Sequence, residues 1–119
     1  DIQKSGAKNG EIETGDTSII RDFVDVRDVV RAYYQLLMQG KTGEVYNICG
    51  EKGVSLADVV KEIADIVGVE ITTRVNPDFV RPGDNQMVIG SAAKICQDIG
   101  WKAEIPLRQT LTDMIEYMR

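Results

Sequence analysis

Between Ser55 and Gly68 the apolar residues recur at helical spacing: Leu56, Val59, Val60, Ile63, Ala64 and Val67 fall on one stripe. Ser55 stands where its hydroxyl can accept the N–H three residues on, and Asp58 takes the acidic place of a capping box. Gly68 follows at the position where a chain commonly leaves a helix in the left-handed conformation. A helix bounded this sharply and apolar on one face has to lie on something. The sequence around it must supply sheet or further helix, so its neighbours are read with that demand in mind.

They supply both. Glu11 to Thr14 alternates as a short strand, and the Gly15-Asp16 turn signal makes Ser18 to Val24 the second arm of an expected hairpin. Asp25 or Asp28 can cap the next helix, in which Val29, Val30, Tyr33, Leu36 and Leu37 keep helical spacing until Gly40 and Gly43 stop it. Glu44 to Cys49 reads as a short core strand, Val69 to Val75 as another, and Met87 to Ile89 as a third. Ser91 is expected to cap a helix that Gly100 stops, and Leu107, Leu111, Met114, Ile115 and Met118 mark a last amphipathic helix. Residues 1–8 read as the end of a helix already under way, closed by Asn9-Gly10. The fold class is α/β, one unit of short strands with about four helices.

Charge and residue inventory exclude several functions. A net charge of −5 leaves no basic face for nucleic acid, while one or two arginines suffice for a small phosphorylated ligand. No apolar run approaches the roughly 20 residues of a membrane helix. Cys49 and Cys96 are isolated, without CxxC spacing, and the chain holds no histidine, so no zinc site and no Ser-His or Cys-His nucleophile can be read. Two lone thiols suit a reducing cytoplasm.

Redox machinery is missing as well. The pairs Gly40/Gly43 and Gly50/Gly53 lack the third glycine of a dinucleotide turn and fall at element ends. A tyrosine and lysine one helical turn apart would let the ammonium lower the phenol's pKa. Leu37, Met38 and Gly50 stand four residues after Tyr33, Tyr34 and Tyr46, and the chain ends before Tyr117 gains such a partner. No catalytic, cofactor-binding or metal-binding residue is assigned.

Three stretches remain: Arg21-Asp22-Phe23-Val24-Asp25-Val26-Arg27-Asp28-Val29-Val30-Arg31-Ala32-Tyr33 with Gly43-Glu44-Val45-Tyr46-Asn47-Ile48; Arg81-Pro82-Gly83-Asp84; and Ile99-Gly100-Trp101 through Pro106, then Leu107 to Thr110 and Asp113. In this order and spacing they resemble the C-terminal third of extended short-chain dehydrogenases that act on nucleotide sugars, the NAD-dependent epimerase/dehydratase family. Within it the chain looks most like the GDP-mannose 4,6-dehydratase and GDP-4-keto-6-deoxy-mannose reductase branch, slightly closer to the reductase. Enzymes on dTDP- or UDP-sugars share the pattern and stay open as alternatives. The resemblance implies a Rossmann-like parent of which residues 1–119 are the nucleotide-sugar-binding portion. NAD or NADP would be held by an N-terminal domain absent from this chain, leaving the fragment itself inactive and without cofactor. It further implies a GDP-sugar or other nucleotide sugar as ligand and cytoplasmic metabolism; apolar surface left without the missing domain makes self-association of the fragment, as a homo-oligomer, an expectation. Arg21 and Arg81 would hold the pyrophosphate, and Asp84 would accept from a ribose hydroxyl.

The chemistry of these residues agrees, since guanidinium forks match phosphate oxygens and a carboxylate matches a vicinal diol. Plainer readings stand beside it. Arg21 could pair with Asp22 or Asp25, Arg81 with Asp84, Asp28 could be a cap and nothing more, and Trp101 an anchor for the last helix. The rival of another class is a stand-alone binding or scaffold module with no redox chemistry.

Overall fold

The computed structural model describes residues 9–81, 83 and 85–118. The helix end expected over residues 1–8 lies outside them, as do Pro82 and Asp84. In chain order the elements are β1 (Asn9–Thr14), β2 (Ile20–Asp22), α1 (Val26–Gln39), β3 (Gly53–Ser55), α2 (Leu56–Val67), β4 (Glu70–Val75), a 3-10 turn (Pro77–Phe79), β5 (Met87–Val88), α3 (Ala93–Ile99) and α4 (Leu107–Met118). The chain is α/β with four α-helices among the described residues, as expected.

The expected hairpin does not form. β1 pairs in parallel with β4, from Asn9 opposite Glu70 to Thr14 opposite Val75. β2 instead centres a second sheet, antiparallel to β3 with Arg21 opposite Val54, and parallel to β5 with Arg21 opposite Val88. The connecting segment is spent elsewhere: the carbonyls of Thr17 and Ile19 accept from Ala57 and Leu56 at the start of α2. Those bonds satisfy orphan donors of a helix end, and they draw the chain away from β1. Side chains favour β4 as well, because Glu13 takes both Arg74 and Asn76 across the parallel pair.

α2 is bounded as its sequence demands. Ser55 Oγ accepts from Asp58 N at 3.1 Å, and Gly68 closes the helix at φ 70°. α1 begins at Val26, one turn earlier than its apolar spacing indicates, because Asp25 Oδ1 accepts the N–H of Arg27 at 2.8 Å. Ser91 does not cap α3: the helix begins after Ala92 without a side-chain cap, and Ser91 Oγ meets Ala93 N only at 3.4 Å. The N–H of Ala92 goes instead to Glu51 Oε1 at 2.5 Å, from a loop forty residues back in sequence.

The strand expected over Glu44 to Cys49 is also absent, since no described strand lies beside it. The segment contributes side chains instead. Tyr46, Ile48 and Cys49 pack against the buried cluster of Ala32, Ala92, Ile95 and Trp101, and Val45 O accepts from Lys94 Nζ.

Beside that cluster sits Asp28, which does more than a cap would. It is 2% exposed; Oδ2 accepts from Glu104 N and Ile105 N at 3.1 and 3.0 Å, and Oδ1 from Arg31 Nη2 at 3.1 Å. Its carbonyl receives Trp101 Nε1 at 3.0 Å, and Arg31 lies over the indole, 5.6 Å from the ring centroid. Trp101 is thus an anchor between α1 and α3 rather than for the last helix expected from the sequence, and Asp28 is the post to which it is tied.

Candidate functional site

Arg21 lies on the middle strand of the three-stranded sheet, half-buried, with Nη1 donating to the carbonyl of Ile20 at 2.8 Å. Neither carboxylate proposed as its surface partner takes it. Asp22 accepts from Gly50 N and Glu51 N at 2.9 and 2.8 Å, which fastens the 50–51 turn to β2. Asp25 is buried and committed to α4: it pairs with Arg27 at 2.9 Å and accepts from Thr110 Oγ1 at 2.6 Å. Arg27 hydrogen bonding, more than any other contact, holds the Asp25 carboxyl well below the usual carboxylate range. The rest of the Arg21 guanidinium is not engaged by any described residue.

Arg81 is exposed and lines a cavity of about 290 Å³ with Gly15, Asp16, Ile19, Leu56, Phe79, Val80 and Gly83. Gly83 turns the loop at φ 83°, in the left-handed region that favours glycine. Its partner wall is the turn after β1. There Gly15 approaches so closely that a Cβ would stand 2.9 Å from the carbonyl oxygen of Phe79, so that wall admits no side chain at position 15. Asp16 beside it accepts from Ser18 N at 2.9 Å and Ser18 Oγ at 2.5 Å. Asp84 lies outside the described residues.

Topology brings the two arginine stretches into one region. Ile20 N donates to Gln86 O at 2.8 Å, Gln86 Nε2 donates to Ser18 O at 2.8 Å, and β5 runs directly alongside β2. The loop bearing Arg81 thus arrives at the start of the strand bearing Arg21. Arg21 itself is not among the residues lining the Arg81 cavity. Sequence reading missed Asp16 and Phe79: Gly15-Asp16 signals only a turn, and Phe79 only a loop residue, until the fold stacks one on the other.

A larger groove of about 730 Å³ runs between the start of α1 and α4, lined by Val24, Val26, Met114, Tyr117 and Met118 together with Asp25, Arg27 and Asp113. Its one cation, Arg27, is already neutralised by Asp25 and by Asp113 at 2.7 Å, so it offers no free charge to a diphosphate. The Arg81 cavity is smaller and holds a guanidinium that is exposed and paired with no described carboxylate.

The described residues do not fit a nicotinamide dinucleotide. Such a site needs glycine backbone opening a helix after a strand, yet β3 runs directly into α2 through Ser55, and Gly68 and Gly100 close helices at positive φ. Among the described residues no group of His, Cys, Asp or Glu could hold a metal ion, and no helix is long and apolar enough to cross a membrane.

Comparison with known proteins matches residues 2–114 to the family model described as GDP-mannose 4,6 dehydratase. A GDP-6-deoxy-D-mannose reductase from Pseudomonas aeruginosa is 37% identical over 108 residues, covering 91% of this chain and 36% of that enzyme. The structure of RMD from Pseudomonas aeruginosa complexed with NADPH superposes with a TM-score of 0.87 at 34% identity, over 97% of this chain and 38% of that one. A putative epimerase from Burkholderia cenocepacia gives a TM-score of 0.90 at 34% identity, over 99% of this chain and 38% of that one. The chain spans little more than a third of the length of each.

Proposed function

The chain belongs to the GDP-mannose 4,6 dehydratase family, within the nucleotide-sugar dehydratases, reductases and epimerases, and from that premise we propose that it is the part of such an enzyme that grips the nucleotide diphosphate of the sugar substrate. The complete protein is read as an NAD(P)-dependent enzyme acting on a GDP-sugar, nearest in kind to a GDP-4-keto-6-deoxy-mannose reductase. Cofactor and hydride chemistry belong to the part of the protein that this chain does not span; this portion is inactive alone. Two free thiols, one half-buried and one exposed, accord with a reducing cytoplasm.

The observation that carries the reading is the Arg81 cavity, with an exposed guanidinium on a glycine-turned loop delivered to the start of the strand that holds Arg21. Arg21 and Arg81 hold the pyrophosphate in this reading, and Asp84 the ribose. On an acidic chain these are local positive groups, and a diphosphate takes two forks more readily than one.

Calorimetry on the complete protein tests it. Arg21→Ala and Arg81→Ala should each weaken GDP-sugar binding by about tenfold or more, since a charge-assisted contact contributes roughly 1.5 to 3 kcal/mol. NAD(P) affinity should stay unchanged, and lysine should rescue only partly because a point charge lacks the fork. Unaltered GDP-sugar affinity in both alanine variants would overturn the assignment.

A further inference from the structure

We propose that Asp16 selects the base of the nucleotide, favouring guanine over uracil or thymine; this rests on reading the Arg81 cavity as the nucleotide-diphosphate site. Asp16 and Arg81 line the same cavity, yet they form no ion pair with each other. Opposite charges left apart in one cavity suit a ligand that is anionic at one end and rich in donors at the other. A guanine nucleotide is such a ligand.

The carboxylate is held for this work. Both bonds from Ser18 fall on Oδ1, which fixes the plane of the group and leaves Oδ2 without a hydrogen-bond partner among the described residues. The same bonds keep the Asp16 carboxyl below its ordinary pKa, so it is ionised at neutral pH. Its backbone runs close beside Phe79, since a Cβ on Gly15 would stand 2.9 Å from the Phe79 carbonyl oxygen. Phe79 lines the cavity too and is 54% exposed, with ring surface left for a stacked base.

Guanine presents N1–H and N2–H side by side, and both can converge on Oδ2, whose lone pairs are left free because the two Ser18 bonds fall on Oδ1. Uracil and thymine present one N–H between two carbonyls, whose lone pairs would face the carboxylate oxygens. Adenine offers one donor beside an acceptor nitrogen. A ribose diol could also satisfy a carboxylate, so the test must separate base from sugar.

Calorimetry on the complete protein with GDP, IDP, UDP and 2′-deoxy-GDP does so. Wild type should bind GDP about tenfold or more tighter than IDP, which lacks the N2 amino group, and tighter still than UDP. Asp16→Asn should bring GDP and IDP to within about twofold while Arg81→Ala weakens all four alike. An unchanged GDP-to-IDP ratio in Asp16→Asn overturns the assignment and leaves the proposed function standing. A ratio of GDP to 2′-deoxy-GDP that collapses instead places Asp16 on the ribose and overturns it equally. Binding of none of the four by wild type would sink both.

Discussion

Asp28 shows what a single side chain decides in this chain. Its carboxylate is nearly inaccessible and serves two backbone N–H groups and one guanidinium, while its own carbonyl takes the indole. Every one of those partners except Arg31 comes from residues 101–105, more than seventy positions away. Removing the carboxylate strands two donors and a cation at once, and an unmade buried bond costs more than a made one contributes. Asp28→Ala should therefore lower stability by about 3 kcal/mol in urea unfolding, and Asp28→Asn, which keeps one acceptor oxygen, by about half that. A loss below about 1 kcal/mol for the alanine variant would show that water replaces the carboxylate freely. In sequence this residue is indistinguishable from a spare cap, because the N–H groups it serves are not its neighbours.

At the scale of elements, the start of α1 is fastened to α4 by charge rather than by apolar packing. Asp25 takes Arg27 and Thr110, and Arg27 reaches on to Asp113. Two of the stretches that carry the family resemblance meet here. Much of what makes the chain recognisable is therefore the joint between two helices, not ligand chemistry. The Asp25 carboxyl is held below the usual range in the fold, whereas the unfolded chain would titrate near about 3.9. Above that value both states are ionised and the contribution is complete. As pH falls below it, the unfolded state takes up its proton first, and stability is lost toward the lower folded pKa. Unfolding midpoints should thus drop between about pH 5 and pH 2 in wild type and drop less steeply in Asp25→Asn. Parallel slopes in the two proteins would show that another carboxylate governs the acid limb.

The whole molecule is a slab of 52 × 35 × 17 Å with a radius of gyration of 17.3 Å. A compact chain of this length would have a radius near about 13.5 Å. The difference lies in what is left uncovered. Val30, Tyr33, Leu37 and Met38 on α1 are 58 to 84% exposed, and Met114, Tyr117 and Met118 on α4 are 55 to 91% exposed. Aligned relatives are about two and a half times as long as this chain. An apolar face of this extent should drive self-association of the isolated chain. Sedimentation should show mass rising with concentration, and Leu37→Lys should shift it toward monomer. A clean monomer over a hundredfold concentration range would count against the face being adhesive.

Sequence alone determined the local and the compositional. The stripe from Leu56 to Val67 with Ser55 and Gly68 fixed α2 to the residue, because caps and periodicity act within one turn of their own position. The Arg-Asp-Phe and Arg-Pro-Gly-Asp stretches pointed to the family that the comparisons establish. Pairing was beyond its reach. Whether Glu11 to Thr14 joins β2 or β4 depends on where the carbonyls of Thr17 and Ile19 are consumed, and α2 consumes them from forty residues away. Glu44 to Cys49 has strand composition, but a strand exists only beside a partner, and no described strand pairs with it. Asp16, Phe79 and Arg81 share a cavity only because the turn after β1 is folded onto the 3-10 turn after β4. Local preferences are written in adjacent residues, whereas a site assembled from residues sixty positions apart is decided by which backbone groups find partners first.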